Sequence, residues 1–336
     1  AIRNNVGVID VSTLGKLDVR GPDAAEFLER VYTFRYHKQP VGRLRYVLMT
    51  DSAGAIVDDG VACRVAEEHF YVTATTGGVD AVYRNMLRLN AEWRLDVDIN
   101  NVTAAYCGVN IAGPYARRTL QLLVEDIDLS PEAFPYLGVR DGHVADIPVR
   151  LMRVGFVGEL GYEVHVPAGA GEALWDSLLL AGSEFGIRPV GVEAQRCLRL
   201  EKGHIIVGQD TDGLTIPREA DLAWAVAAKP FFVGQRAIEA QTERPLTRKL
   251  VGFKLPVSSR VPEECNLTLS GDEITGRVTS IEHSQVCGCP IGLAYVHPDT
   301  SKEGDRFEIK LSDGNRLTAE VAALPFYDPR NERQEV

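Results

Sequence analysis

The sequence predicts an α+β protein with two related lobes, followed by an all-β C-terminal domain. Three observations support this fold class. Strand-like and helix-like segments alternate over the first 245 residues, the order strand, Gly-Pro, helix occurs twice, and helical patterning nearly vanishes after residue 246. A chain of 336 residues is also long enough for two or three domains. We therefore predict a bilobal region over 1–245 and a separate barrel-like or Greek-key β domain over 246–336.

The first lobe begins with a strand and a helix. GKLDVRG (15–21) alternates apolar and polar residues, whereas GPDAAEFLERVY (21–32) places apolar residues at helical spacing. Residues 45–75 then predict successive strands, with turns at Ser-Ala-Gly and Glu-Glu-His. GVDAVYRNMLRLNAEW (78–93) has the pattern of an amphipathic helix.

The second lobe repeats this order. VTAAYCGVNIAGPYARRTLQLLV (102–124) predicts a strand, a Gly-Pro turn and a helix, and residues 148–167 predict further strands. GAGEALWDSLLLAGSEFG (169–186) predicts another helix. The pattern indicates a distant two-fold repeat of units that mix strands and helices.

The segments after the second lobe differ in character. GVEAQRCLRLEKG (191–203) predicts a helix with a basic solvent face formed by Arg196, Arg199 and Lys202. The next stretch predicts a polar loop and then a strand that holds Trp224 in the core. Short β-like runs follow, and Ser-Asp-Gly-Asn at 312–315 indicates a hairpin.

Composition and charge exclude several function classes. The net charge is −11, so the chain has no Lys/Arg excess for nonspecific nucleic-acid binding. No apolar run approaches the ~20 residues that span a bilayer. The six cysteines show no disulfide framework and complete no metal site, which predicts reduced thiols in a cytoplasmic compartment. The chain does not begin with Met, and we expect a processed product or a segment of a longer polypeptide.

The sequence also contains no glycine-rich loop of the kinds that bind nucleotide cofactors. GFVGELGYE (155–163) lacks the G-x-G start and leads into a strand, so it matches neither a Rossmann loop nor a P-loop. If an oxidation belongs to this system, we expect another domain or subunit to perform it.

Two pairs of carboxylates are candidates for chemistry. Asp58 and Asp59 are adjacent in a strand-like run, so one faces opposite to the other. One of them could enter a cleft, or the pair could form a solvated strand end. Glu159 and Glu163 lie in GELGYEVHVP (158–167). Glu163 could meet a ligand edge with two N–H donors, or it could face outward on an alternating strand.

Several motifs together resemble the tetrahydrofolate-dependent aminomethyltransferase family, which includes the glycine cleavage T-protein. The motifs are residues 6–33, GRLRYVLMTDSAGAIVDDGV (42–61), GFVGELGYEVHVP (155–167), EKGHIIVGQDTDG (201–213) and FYDPRNERQ (326–334). They occur in the family's order over nearly the whole chain. The resemblance is nearest to the C-terminal folate domain of the alpha subunit of heterotetrameric sarcosine oxidase. It implies two ferredoxin-like lobes in a cloverleaf, a C-terminal β-barrel, and folate in a central channel.

The resemblance also implies roles for individual residues. The family's functional acid matches Asp59, which would hydrogen-bond N10 of tetrahydrofolate and assist proton movement. The pterin-binding carboxylate matches Glu163. Other positions that would contact folate are Leu14, Tyr46, Thr75, Thr76, Phe156 and Trp224.

Three positions depart from the family's pattern. Gln195 replaces an Arg expected to face the glutamate tail of folate or the lipoyl arm of the donor, which argues against a lipoylated donor. His204 replaces a tyrosine, and Phe34 replaces a frequent Asn. Gln195 and His204 remain expected contacts of the folate.

The resemblance implies capture of an iminium or formaldehyde unit from a sarcosine-like amine to give 5,10-methylenetetrahydrofolate. A flavin-containing oxidoreductase domain or subunit would supply this unit. Two alternatives stay open: a demethylase that forms 5-methyltetrahydrofolate, and a folate-binding module without chemistry. Product mass and turnover separate the three.

Overall fold

A computed structural model describes residues 1–336 as an antiparallel sheet, a mixed sheet and one closed barrel. The chain begins with β1 (Gly7–Asp10), which joins the second sheet. The first sheet has the strand order β3-β4-β5-β2-β6 and carries two helices on one face. Its elements are β2 (Gly15–Arg20), α1 (Ala24–Val31), β3 (Arg43–Thr50), β4 (Ile56–Ala66), β5 (His69–Ala74), α2 (Val79–Trp93) and β6 (Asp98–Asn101).

The first lobe folds as its periodicity predicts. Leu17 and Val19 are fully buried on one face of β2, while Lys16 and Asp18 lie on the other. The buried residues of α1 are spaced three and four apart, as an amphipathic helix against a sheet requires: Ala24, Phe27, Leu28 and Val31. The helices therefore cover one face of the sheet and leave its other face free to pack elsewhere.

The second lobe repeats the element order strand, helix, three strands, helix, strand. Its elements are β7 (Tyr106–Ala112), α3 (Ala116–Gln121), β8 (Val139–Val144), β9 (Ile147–Met152), β10 (Gly161–Pro167), α4 (Gly171–Ala181) and β11 (Arg188–Pro189). The strand order is β11-β1-β7-β10-β9-β8, so β1 is inserted between the two strands that correspond to β2 and β6. The predicted repeat is thus present in the topology.

The two sheets pack against each other through the faces that the helices do not cover. Leu44, Cys63 and Tyr71 of the first sheet share an apolar cluster with Val139 and Met152 of the second. We call this contact the interlobe interface. A strand residue whose side chain is on the helix-free face of either sheet therefore points toward it.

A linking region and a barrel complete the chain. The link contains α5 (Val192–Glu201) and α6 (Gln235–Thr242). The barrel closes in the order β12-β15-β14-β13-β16-β17. Its strands are β12 (Lys249–Lys254), β13 (Leu267–Ser270), β14 (Glu273–Ser284), β15 (Cys289–Val296), β16 (Arg306–Lys310) and β17 (Arg316–Ala322). No helix of the chain has the length and apolar character to cross a membrane.

The predicted basic solvent face of α5 is wrong for two of its three residues. Arg199 is 1% exposed and Lys202 is also buried, whereas Arg196 is partly exposed. The reason is that α5 packs on β14 and β15 of the barrel, so these basic groups face protein. Each is paired there: Arg199 with Asp210, and Lys202 with Asp328.

Candidate functional site

Asp59 and Tyr46 form a hydrogen-bonded pair where the linking region packs on the first sheet. The Tyr46 hydroxyl donates to Asp59 Oδ2 at 2.8 Å. Both residues lie on the helix-free face of the first sheet, since Leu48 on β3 is directly opposite Asp59 on β4 and Tyr46 is diagonal to it. The carboxylate is thus held in one orientation by a neighbouring strand.

Burial raises the pKa of Asp59 to about 7. The hydrogen bond from Tyr46 opposes this shift by stabilising the carboxylate, and the nearby charge of Asp58 adds to it. A carboxyl group that titrates near neutrality can accept a proton and return it at physiological pH. The pair therefore has the chemistry of a general acid–base.

Asp58 faces the opposite way, toward the helices of the first lobe. It is 2% exposed, and its Oδ2 accepts from the backbone N–H of Thr75 at 3.1 Å. The Thr75 hydroxyl in turn accepts from the N–H of Gly78, just before α2. Asp58 and Thr75 therefore hold the turn that starts α2.

The neighbouring turns contact each other across the first sheet. The hydroxyls of Thr76 and Thr13 are 3.2 Å apart. The buried Lys16 ammonium donates to the carbonyls of Ser12 and Leu14, both at 2.8 Å. These contacts place Leu14 and Thr76 on one edge of the interlobe interface.

Glu163 lies on the helix-free face of β10 in the second lobe. Its Oε2 is 3.3 Å from Nε2 of the buried His165, and its side chain is 14% exposed. Burial lowers the pKa of Lys16, and the charge of Glu163 opposes this effect, so the two groups interact electrostatically. Glu159, by contrast, is occupied by structural contacts, since it binds Arg3, Tyr327 and Arg333.

Phe156 and His204 form a stacked pair from two loops. Their ring centroids are 5.7 Å apart at an angle of 22°, and His204 Nδ1 donates to the Phe156 carbonyl at 2.8 Å. Burial lowers the pKa of His204, which favours the neutral ring. The pair offers a flat, uncharged surface.

The prediction that Trp224 belongs to a buried strand is wrong. It lies in a 3₁₀ turn over Ala223–Ala225 and is 70% exposed. Its ring packs on Tyr46 with centroids 5.5 Å apart, while Ala225 points into the core instead. Trp224 therefore covers the Asp59–Tyr46 pair from the solvent side.

Gln195 and Phe34 lie apart from the contacts described above. Gln195 is half-buried on α5, and its side chain makes no hydrogen bond to protein. Phe34 packs edge-on against Tyr36 in the core of the first lobe, with centroids 5.8 Å apart.

The structure places Glu163 at the interlobe interface, and it groups Asp59, Tyr46 and Trp224 where the linking region packs on the first sheet. Tyr46 joins Asp59 to Trp224, and an apolar cluster that contacts Tyr46 also contacts Ile205, next to His204. No contact links Gln195 to these groups. Shallow surface depressions lie between α5 and β14 and on the barrel near Cys265, away from these groups. The central channel therefore stays a prediction.

The sequence interpretation missed three polar residues at this interface: Lys16, Tyr71 and His165. All three are buried and near Glu163 or in contact with each other. A signal for all three was present, since each stands at an alternating position in a predicted strand, on the face opposite the apolar residues. The contact between Tyr71 and His165 had no signal, because the two residues are 94 positions apart.

Comparisons with known proteins agree with this architecture. Residues 1–230 match the family described as the GCVT N-terminal domain, and residues 248–328 match the glycine cleavage T-protein C-terminal barrel domain. The structure resembles that of the glycine cleavage system aminomethyltransferase T from Bartonella henselae, with a TM-score of 0.87 and 25% identity. That match covers 97% of this chain and 87% of the other.

Relatives in sequence fall into two groups. Proteins named sarcosine oxidase subunit alpha, from Corynebacterium sp. (strain P-1) and Rhizobium meliloti, are 37% identical over 100% of this chain. The chain spans only 36% and 35% of their lengths. An aminomethyltransferase from Halothermothrix orenii is 32% identical over 97% of this chain and 89% of its own length. On these matches, the chain belongs to the glycine cleavage T-protein family of aminomethyltransferases.

Proposed function

We propose that this chain transfers a one-carbon unit to tetrahydrofolate, with an iminium from oxidative N-demethylation as the donor and 5,10-methylenetetrahydrofolate as the product. The observation that carries the proposal is the half-buried Asp59, which titrates near neutrality and is oriented by Tyr46 on the helix-free face of the first sheet. Folate bound between the lobes would meet this carboxyl group.

The reaction moves protons from tetrahydrofolate to the released amine, and a carboxyl group such as that of Asp59 can carry them. Tetrahydrofolate loses the hydrogens of N5 and N10 when the methylene carbon bridges them, and the released amine gains two. We propose that Asp59 accepts the N10 proton and passes it on to the leaving amine. Its pKa near 7 permits both steps without a large energetic cost in either direction.

The recognition of the pterin would depend on Glu163. The 2-amino-4-oxo-pyrimidine edge carries two adjacent N–H donors, and a carboxylate accepts both in parallel. Glu163 fits this role because it reaches the interlobe interface from the second lobe and is bound by no arginine. Phe156 and His204 would supply a flat surface for a ring.

The choice of donor is supported by two further observations. Gln195 stands where the resemblance leads us to expect an arginine for a lipoyl-type donor. The sarcosine oxidase alpha subunits that match this chain are about three times as long, so they have room for an oxidoreductase portion outside the matched region. We propose that a flavin-containing domain or subunit generates the iminium.

The donor can be tested with an isotopic label. The full protein would oxidise ¹³C-methyl sarcosine with tetrahydrofolate while a formaldehyde dehydrogenase removes any formaldehyde that is released. Labelled 5,10-methylenetetrahydrofolate, measured by mass spectrometry, then reports capture within the protein, because free formaldehyde does not accumulate. Absence of labelled product would contradict the proposal, and labelled 5-methyltetrahydrofolate would indicate a demethylase.

Glu163→Gln is expected to weaken tetrahydrofolate binding about 10- to 100-fold, because the neutral amide accepts only one N–H donor and loses the charge assistance. Isothermal titration calorimetry measures the change. Glu172→Gln is the matched control, since it makes the same substitution at an exposed position in the first turn of α4. Equal affinities for the Glu163 variant and this control would remove Glu163 from the site.

The rate of one-carbon transfer is expected to rise with pH through about 7, as Asp59 becomes the carboxylate that accepts a proton. Tyr46→Phe removes the hydrogen bond that stabilises the carboxylate, so the pKa of Asp59 rises further. The acidic limb of the kcat/KM profile should then move up by about one pH unit. An unmoved limb would show that another group controls it.

A further inference from the structure

His165 is a buried histidine whose second ring nitrogen has no hydrogen-bond partner. The ring is fully buried on β10, and its Nδ1 is 2.8 Å from the Tyr71 hydroxyl across the interlobe interface. The opposite nitrogen, Nε2, makes no hydrogen bond. Its neighbour is Glu163 Oε2 at 3.3 Å, a distance close enough for contact but without hydrogen-bond geometry.

The position of Glu163 determines which nitrogen of His165 carries the proton. A lone pair on Nε2 would face the carboxylate and repel it, so the favoured neutral tautomer has its hydrogen on Nε2. Nδ1 then accepts from Tyr71, whose hydroxyl has no other partner. The Tyr71 hydroxyl and the carboxylate therefore both favour an N–H directed toward Glu163.

Two neighbours restrict the surroundings of the His165 and Tyr71 rings. Across the sheet, β7 has Gly108 opposite His165, and a Cβ at that position would lie only 3.1 Å from Nε2. The Arg150 guanidinium lies over the ring of Tyr71, 4.7 Å from its centroid, and holds that ring in place. The polar atom recorded beside this N–H is Glu163 Oε2, and an unpaired buried donor is costly.

We infer that Tyr71 and His165 are positioning residues that orient the Glu163 carboxylate for a ligand edge with two adjacent N–H donors. The inference rests on the proposed function, in which that ligand is the pterin of tetrahydrofolate. The carboxylate rotates by a small amount when the ligand binds, and Oε2 then accepts from His165 Nε2. Its remaining lone pairs accept from the ligand, so binding also satisfies the buried N–H.

The test compares two ligands in the full protein by calorimetry. The ligands are tetrahydrofolate and its 2-desamino-2-methyl analogue, which lacks one of the two N–H donors. The double variant Tyr71→Phe, His165→Leu removes the positioning pair without leaving an unpaired hydroxyl. His165→Gln keeps an N–H donor near the position of Nε2. Tyr162→Phe is the control, because Tyr162 is buried on the same strand but on its helix-covered face.

The double variant should bind tetrahydrofolate about tenfold more weakly. The same variant should bind the analogue within about twofold of the unmodified protein, whereas His165→Gln and Tyr162→Phe should bind both ligands almost normally. Equal weakening for both ligands would show a merely structural role, and no weakening would exclude the pair from recognition; either result overturns the inference. If the unmodified protein and Glu163→Gln bind tetrahydrofolate equally, the proposed pterin site itself is wrong.

Discussion

Replacing Asp59 by asparagine is expected to lower the rate of one-carbon transfer by about 10²- to 10⁴-fold, the range associated with loss of a general acid–base. Asparagine retains an oxygen that can accept from Tyr46, so the geometry of the pair is conserved while its proton transfer is lost. Tetrahydrofolate affinity should change much less than the rate, because we propose that Glu163, not Asp59, recognises the pterin.

The same substitution is expected to stabilise the folded protein above neutral pH. The pKa of Asp59 is about 7 in the folded state and is raised from 3.8, so the folded protein binds its proton more tightly than the unfolded chain does. Its contribution to stability is full below about pH 4 and is lost as the pH rises through 7. Asparagine does not ionise, and we expect a gain of about 2 kcal/mol at pH 8 that disappears near pH 4.

Asp59→Asn should thus lower the transfer rate but raise the stability above neutral pH, and few other roles for Asp59 predict both effects. Chemical denaturation at pH 4 and pH 8 measures the stability, and a stopped assay with tetrahydrofolate measures the rate. Asp80→Asn is the matched control, since Asp80 is exposed in the first turn of α2 and should alter neither quantity. An Asp59→Asn variant that keeps its activity, or that loses stability at pH 8, would contradict the role given to Asp59.

The largest effect on stability is expected from Asp210→Ala. Asp210 is fully buried and binds the Arg199 guanidinium at 2.6 Å, and its other oxygen accepts from Thr279 and Ser280 of β14. Removing the carboxylate leaves the buried Arg199 without a counter-charge, which typically costs about 3–5 kcal/mol. The loss should appear as a lower denaturation midpoint in urea, with the slope nearly unchanged.

Two further variants distinguish this mechanism from general damage. Glu320→Ala breaks an exposed cross-strand pair with Arg306 on the barrel and should cost less than about 1 kcal/mol. The double variant Arg199→Met, Asp210→Leu replaces the buried pair by apolar groups and should recover much of the stability. If Asp210→Ala costs no more than Glu320→Ala, the buried pair does not hold α5 to the barrel.

The Arg199–Asp210 pair also connects stability to the site. Arg199 donates to the carbonyl of His204 at 2.8 Å, and Asp210 accepts from the N–H of Ile206. The loop that carries His204 and Ile205 is therefore held from the barrel side. Loss of the pair should loosen the stacking of His204 on Phe156 as well as lower the free energy of unfolding.

Local sequence patterns were sufficient to predict the helices and strands, but they did not predict the burial of every side chain. The spacing in α1 and the alternation in β2 follow from contacts within one lobe, so both could be predicted. Arg199, Lys202 and Trp224 were interpreted in the wrong environment, because their surroundings come from other parts of the chain. A helix that packs on both a lobe and a barrel can bury charges that would be exposed on a helix with one solvent face.

For the carboxylates too, the sequence predicts some properties and the tertiary packing decides others. Strand geometry alone places Asp58 and Asp59 on opposite faces, and their residue types suggest proton chemistry. Which face is covered depends on how the second sheet and the linking region pack on the first sheet, and so does the burial that raises the pKa of Asp59. The Tyr71–His165 contact likewise joins strands from different lobes.

The amino-acid order was thus enough to specify the α+β class, the repeated lobe, the β-rich C-terminal region and the acids available for chemistry. These properties arise from short-range periodicity and from residue type. The contact of Tyr71 with His165, the packing of Trp224 on Tyr46 and the contact of Arg199 with Ser280 arose only when distant segments packed together. Burial and electrostatic environment depend on that packing, and neither is encoded in any short stretch of the chain.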